Sequence, residues 1–302
     1  AVLLQLMSLG ASALPWRRRL SAHFVLLGWI VEAPGMASLP VGGRWKAVCP
    51  EGRRSPRGHL VFKPKPGSSP ELQELVASFR PTKTPEEVLR AGAFGGTYFR
   101  DIKSSVTGKA YKDAWKELPP SWLKGLNIAS DIARPWAQYS KSVNKYGAKC
   151  GNTLEDWEAA GWMSEQDPYG WFQWYCRFYQ GRRTDDDDRQ IRRWAKICGP
   201  NGRWKGNLVA KCVAQDRSYD DPRVAPAVRQ SLLHWAYELT AEDLDSRKAA
   251  ILSGKGAYAL PREQLAQLHR RRVDERKKAT GVVLKRPAAS VGASRPQKRV
   301  RS

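Results

Sequence analysis

The chain has 302 residues, with 52 Lys and Arg against 29 Asp and Glu, a net charge of +23, five cysteines and thirteen tryptophans. An odd number of cysteines without a CxxC pair excludes a simple disulfide framework and argues against a structural zinc site. No apolar run reaches the roughly 18–20 residues of a membrane span.

The charge is unevenly placed. Residues 1–69 carry 10 Lys/Arg against 2 Asp/Glu, residues 70–240 carry 26 against 21, and residues 241–302 carry 16 against 6. Ten of the tryptophans fall within 70–240, a length sufficient to bury a core of its own. The expected organisation is a basic, largely disordered arm at 1–69, an aromatic-rich helical core domain at 70–240, and a basic helical or disordered tail at 241–302. Basic arms suit a polyanionic partner, DNA or RNA; a role in solubility alone is the other reading.

In chain order, residues 1–35 hold two short apolar runs split by Trp16–Arg19, and Met36 opens a plausible reading frame. An organelle presequence and translated upstream sequence are both compatible with them. Arg44–Pro70 is rich in Arg, Pro, Gly and Ser and reads as an extended basic linker. Thr84, followed by Pro85, Glu86 and Glu87, predicts a capped helix stopped at Gly92 or Gly95. Gly96–Tyr111 predicts two short extended pieces around a Thr107–Gly108 turn.

Between Asn152 and Thr240 the punctuation is that of consecutive helices. Thr153 is expected to cap Leu154–Gly161 with Asp156 in a capping box, and Asp167 to cap the next helix with Pro168 at its first position and Gly181 at its end. Thr184 is expected to cap a helix ending at Gly199, with further helices over about 203–214 and 225–239. Beyond Thr240 come a short helix and then Pro261–Gly281, whose apolar edge is only Leu265 and Leu268, so an exposed and marginal helix is expected there. The fold class predicted is mainly α: a compact helical bundle, clearest over about 150–240, with a small mixed N-terminal part and basic disordered arms.

The segment Asp167–Arg183 is the most distinctive. Trp171, Trp174, Tyr175 and Phe178 recur at i, i+3, i+4 and i+7, with Phe172, Cys176 and Tyr179 as a second stripe. Exposing six rings would forgo about 2–3 kcal/mol for each, so they are expected to be mostly core. Tyr179 or Phe172 would be the members of any base-stacking platform. The cations Arg177, Arg182, Arg183, Arg189, Arg192, Arg193, Lys196, Arg203 and Lys205 are placed by periodicity on solvent-facing or joint positions and form the candidate nucleic-acid-binding set. A solvated face balanced by Asp185–Asp188 is the alternative.

Those aspartates admit an enzyme reading, in which Asp185 and Asp188, on one side of the helix, hold a metal ion for chemistry on nucleic acid. Acids in a first turn are equally what the helix dipole favours. No GxxxxGK[ST], HExxH or GxSxG pattern occurs, and no Cys has a His nearby in sequence. His234 reads as a partly buried core residue. No catalytic residue, cofactor, metal or small-molecule ligand is indicated, and no membrane partner.

The tail carries Lys285–Arg286, eleven residues, then Lys298, Arg299 and Arg301, the spacing of a bipartite nuclear-import signal. An import receptor and nuclear localisation are expected, with an organelle as the alternative if residues 1–35 are a presequence. Ala91–Arg100, Ser104–Tyr111, Val143–Gly147, Asp167–Trp194 and Cys198–Trp204 together resemble an uncharacterised family of eukaryotic proteins found chiefly in fungi and algae. The resemblance spans about Phe79–Thr240 and implies one domain there with the arms as additions; it implies no activity. The leading expectation is a non-catalytic nuclear protein bound to nucleic acid or chromatin, the alternatives being a metal-dependent enzyme on nucleic acid and a protein-interaction module.

Overall fold

The structure, a computed structural model, describes residues 45–254 and 258–279. It is mainly α. Two antiparallel two-stranded ribbons accompany the helices: β1 (Arg53–Arg54) with β2 (Leu60–Val61), and β3 (Ile102–Lys103) with β4 (Ala110–Tyr111). In chain order the helices are α1 (Pro70–Ser78), α2 (Pro85–Ala91), α3 (Pro120–Leu123), α4 (Leu154–Ala159), α5 (Trp171–Tyr179), α6 (Asp187–Cys198), α7 (Arg203–Gln215), α8 (Pro226–His234), α9 (Ala241–Leu252) and α10 (Arg262–Ala279).

Where the local code is complete, it is obeyed. Thr84 and Glu87 exchange hydrogen bonds as a capping box at α2, and Thr153 and Asp156 do the same at α4. The β3–β4 ribbon turns through Thr107–Gly108, with Gly108 at φ +69°. Between Gly92 and Thr153 prolines and glycines interrupt any long helix, and the chain proceeds by short turns at 94–96, 114–117, 128–132 and 136–138.

α5 is the axis of the core. Trp174, Tyr175, Cys176 and Phe178 have no exposed surface, and Trp171 and Phe172 are buried beside them. Trp171 stacks on Tyr175 at 5.1 Å, Trp174 lies 4.7 Å from Phe178, and Phe79 of the segment after α1 meets Trp194 of α6 edge-on at 5.0 Å. Gln173 of α5 is buried as well: it accepts from the Tyr169 N–H and donates to Glu117. A base-stacking role for α5 is therefore ruled out for Phe172, 2 % exposed, while Tyr179 is half-buried against Phe62 and Trp122. Trp235 is half-buried.

Several boundaries differ from expectation. Asp167 does not cap α5, which starts at Trp171 behind Gly170; the Asp167 carboxylate is instead wholly buried between Arg177 and Arg182. Thr184 does not cap α6 through its side chain; Asp187 reaches back to it, accepting from the Thr184 N–H and hydroxyl. Residues 45–69 are not an extended arm. Leu60 and Phe62 belong to the core, and the Val48 and Cys49 N–H groups both donate to Gly181 O at 3.1 Å. Gly181 has φ +99°, and a Cβ there would sit 2.0 Å from Cys49 O, so only glycine lets the linker close on the end of α5. Residue 240 is not a boundary either: α9 packs along α7, and Ile251, Leu260 and Leu268 join the core. The proposed arms thus contribute to one body over the described residues, because scattered apolar residues within a basic stretch find partners far away in sequence.

Candidate nucleic-acid interface

The nine candidate cations divide by burial. Arg182 is 4 % exposed, Arg183 8 % and Lys205 8 %, and the Arg177 side chain is 13 % exposed. For these four the expected solvent-facing placement is wrong. Arg177 and Arg182 donate to the two oxygens of Asp167 at 2.9 and 2.6 Å, and Arg177 also pairs with Glu117. Arg183 gives its donors to main-chain carbonyls: Nε and Nη2 to Lys63 O at 3.0 and 2.9 Å, Nη1 to Phe178 O and Arg182 O at 2.7 and 2.6 Å. Its guanidinium lies 3.7 Å from the Phe178 ring centroid. Lys205 donates to Asp243 at 2.9 Å, and Asp243 also accepts from Tyr237. Such groups hold the fold, and their burial keeps them from a phosphate.

The other five remain at the surface. Arg189, Arg192, Arg193 and Lys196 recur at i, i+3, i+4 and i+7 and form a stripe along α6; Arg203, at the start of α7, is exposed. Two of the stripe are partly neutralised. Arg192 Nε donates to both oxygens of Asp188 at 2.9 Å, and Arg189 Nη2 donates to Asp186 at 2.8 Å. Arg193 has no carboxylate partner among the described residues: Nη1 donates to Gln190 Oε1 at 2.9 Å and Trp162 O at 3.2 Å. Its guanidinium carbon lies 5.6 Å from the ring centroids of both Trp162 and Trp235. Burial, followed by repulsion from Arg189, lowers its pKa to about 10, which leaves it charged at neutral pH. Trp162, 38 % exposed, is the one exposed large aromatic among the described residues. The sequence reading missed it because it follows Gly161 outside any helical period. Together these side chains form a cationic ridge ended by an indole, which is the pairing that takes phosphate and base on one strand.

The aspartates fill other positions. Asp186 serves Arg189 and Gln190, Asp188 serves Arg192, and Asp187 is buried, accepting from Trp174 Nε1 at 2.9 Å; its carboxyl pKa is raised by that burial. Asp185 is exposed, and Asp188 is engaged by Arg192. Among the described residues no group of three or more His, Cys, Asp or Glu side chains is placed to hold a metal ion.

The fold does create one pairing that sequence separation hid. Cys150 Sγ lies 3.4 Å from Nδ1 of His234, 84 residues away. The geometry is not that of a nucleophile and its base. His234 Nε2 accepts the Phe94 N–H at 2.9 Å, so the proton sits on Nδ1 and faces the sulfur, where it cannot receive the thiol's own. Burial pushes the Cys150 thiol up to about 12 and the His234 imidazole down to about 3, so both are neutral. The imidazole instead braces Phe94, a bulky residue at φ +56°, on whose ring it stacks at 4.0 Å.

The import residues Lys285, Arg286, Lys298, Arg299 and Arg301, and segment 1–35, lie outside the described residues. No helix among the described residues is long and apolar enough to cross a membrane. Comparison with protein-family models, curated proteins and solved structures finds no match to this chain.

Proposed function

We propose that this protein binds single-stranded nucleic acid through α6 and Trp162, with its basic segments adding sequence-independent phosphate contacts, and that it does so in the nucleus. The observation that carries the reading is the stripe Arg189–Arg192–Arg193–Lys196 running beside an exposed tryptophan. Neither half alone would suffice. A charged helix face is commonly just solvated, and a lone surface indole is ordinary. Their junction at Arg193, held by Trp162 and Trp235 and left without a carboxylate, keeps a guanidinium oriented and un-neutralised. The excess of basic over acidic residues in 241–302 supplies the long-range attraction, and the Lys285–Arg286 and Lys298–Arg301 clusters supply the nuclear address.

Fluorescence anisotropy of labelled 20-nucleotide DNA and RNA, titrated with the full chain at several salt concentrations, tests this. Arg192→Ser with Lys196→Ser is expected to reduce the log–log salt slope by roughly 1.4 on single strands, about 0.7 for each phosphate that the variant no longer neutralises. Trp162→Ala is expected to weaken single-strand binding about 5- to 100-fold by removing a stacking surface, and to change duplex binding little. Unchanged affinity and unchanged slope in both variants would remove α6 from the interface.

A further inference from the structure

The β3–β4 ribbon has one face in the core and one in solvent. Ile102 and Tyr111 pair across it and are both buried, so alternation sends Lys103, Ala110 and Lys112 outward, and all three are exposed. Lys109, in the connecting turn, is exposed as well. From Ile102 to Lys112 the sequence carries these three lysines and no acid. None of the three enters an ion pair among the described residues, whereas Lys116, just beyond the ribbon, holds Asp113 at 2.7 Å. Val106 at the tip is 37 % exposed, one of three large hydrophobic side chains so placed among the described residues. A Cβ on Gly108 would meet nothing within 4 Å, so the tip has open space beside it.

An exposed valine or a few free lysines would be ordinary on any surface. What sets this ribbon apart is that its tip is held still. The Ser104 and Ser105 hydroxyls donate to the two oxygens of Glu158 in α4 at 2.8 and 2.7 Å, and the Ser105 N–H adds a third bond at 3.0 Å. Ser104 Oγ also accepts the Val106 N–H at 3.2 Å, and the Tyr111 hydroxyl donates to Thr107 Oγ1 at 3.0 Å. The acids of the supporting helix are drawn inward by these contacts and its own cap: Glu158 faces the serines, and Asp156 closes its capping box. A rigid ribbon has little conformational entropy left to lose on binding.

We infer that the outer face and tip of the β3–β4 ribbon sit in the major groove of duplex DNA, Lys103, Lys109 and Lys112 on phosphates and Val106 against base edges. That groove, about 12 Å wide, admits a two-stranded ribbon, and the thymine methyl is the apolar group that it displays. The deep, narrow major groove of an RNA duplex does not admit one. The surface lies outside α6 and extends the protein's partners from single strands to a duplex.

Fluorescence anisotropy of the full chain is read on a labelled DNA duplex of about 20 base pairs, the same duplex with uracil in place of thymine, the matching RNA duplex, and the single strand. The DNA duplex is expected to bind at least 10-fold tighter than the RNA duplex, and about 3-fold tighter than its uracil form, the worth of one methyl contact. Lys103→Ser with Lys109→Ser and Lys112→Ser is expected to lower the ratio of duplex to single-strand affinity at least 10-fold. The same variant should reduce the duplex log–log salt slope by roughly 2–3, about 0.9 for each phosphate. Val106→Ser is expected to abolish the thymine preference. All four side chains are exposed, and circular dichroism checks that each variant is folded. An unchanged ratio and slope in the lysine variant, equal binding of the DNA and RNA duplexes, or a thymine preference that survives Val106→Ser overturns the proposal. So does binding to phosphatidylserine vesicles that the lysine variant abolishes while duplex binding persists, which would identify a membrane surface as the ribbon's partner.

Discussion

Replacing Arg182 by Ser and, separately, Arg192 by Ser makes the same chemical change ten residues apart, and the structure assigns it opposite outcomes. Arg182 donates at 2.6 Å to Asp167, whose side chain has no exposed surface. Removing one partner of a buried pair leaves an uncompensated charge and costs about 3–5 kcal/mol. Arg177 still holds the other carboxylate oxygen at 2.9 Å, which places the expected loss near the lower end, about 3 kcal/mol. Arg192 and Asp188 form a pair whose side chains are 60 and 49 % exposed, four residues apart on a helix, for which about 0.5 kcal/mol or less is expected. For a body of this size 3 kcal/mol corresponds to a fall in Tm of roughly 6–12 °C, against a degree or two for Arg192→Ser. Urea unfolding followed by tryptophan fluorescence and by circular dichroism reads both. Arg183→Ser belongs with Arg182→Ser, since it strips donors from the carbonyls of Lys63, Phe178 and Arg182. A fourfold Ser replacement of Arg182, Arg183, Arg192 and Arg193 therefore tests folding, not binding, despite the surface placement that periodicity suggests for all four. Equal stability of the Arg182 and Arg192 variants would refute the buried-network account.

Two further outcomes follow from other parts of the molecule. His234 is held neutral in the folded chain with a pKa near 3 against 6.5 for an unperturbed imidazole, so the unfolded chain takes up a proton first as pH falls. Stability should decline below about pH 6.5 with a slope approaching 1.4 kcal/mol per pH unit, and His234→Gln, which retains an acceptor for the Phe94 N–H, should flatten the curve between pH 6.5 and 4.5. A reporter fused to residues 280–302 is expected to accumulate in nuclei and to be released by Lys298→Ala with Arg299→Ala; an unchanged distribution of that double variant would dismiss the import signal.

The legible parts of the fold are those whose code is local. Thr84 with Glu87 and Thr153 with Asp156 mark helix starts because both partners lie within one turn. The aromatic stripe marks α5 as core because burial of rings is read from period alone. What escaped was settled by distant partners. Asp167 looked like a cap and became a counter-ion because the end of α5 returns Arg177 and Arg182 to it. Residues 45–69 looked like a linker because one phenylalanine among lysines and prolines carries no pattern, yet Phe62 stacks 5.2 Å from Phe79. The α6 stripe was legible and its neighbour Trp162 was not, since an indole after a glycine belongs to no period. Cys150 with His234, and Arg100 with Trp136, required the irregular stretch between Gly92 and Thr153 to be folded before they could meet.

The arginines of this protein sort by what holds them in place. Arg177 and Arg182 are held by carboxylates and Arg183 by carbonyls, and all three guanidinium groups are enclosed by the fold. Arg100 and Arg193 are held mainly by indoles, Trp136 for the first and Trp162 with Trp235 for the second. A π-face orients a guanidinium without cancelling its charge and leaves edge N–H groups free, because the contact is made through the flat of the group. A carboxylate does the reverse. Burial lowers the pKa of both indole-held arginines, as it also lowers that of Arg183. Trp136 is half-buried beside Arg100, and Trp162 is exposed beside Arg193. That shared arrangement separates the two cations left without a carboxylate from those that the fold encloses, and net charge alone could not have drawn the distinction.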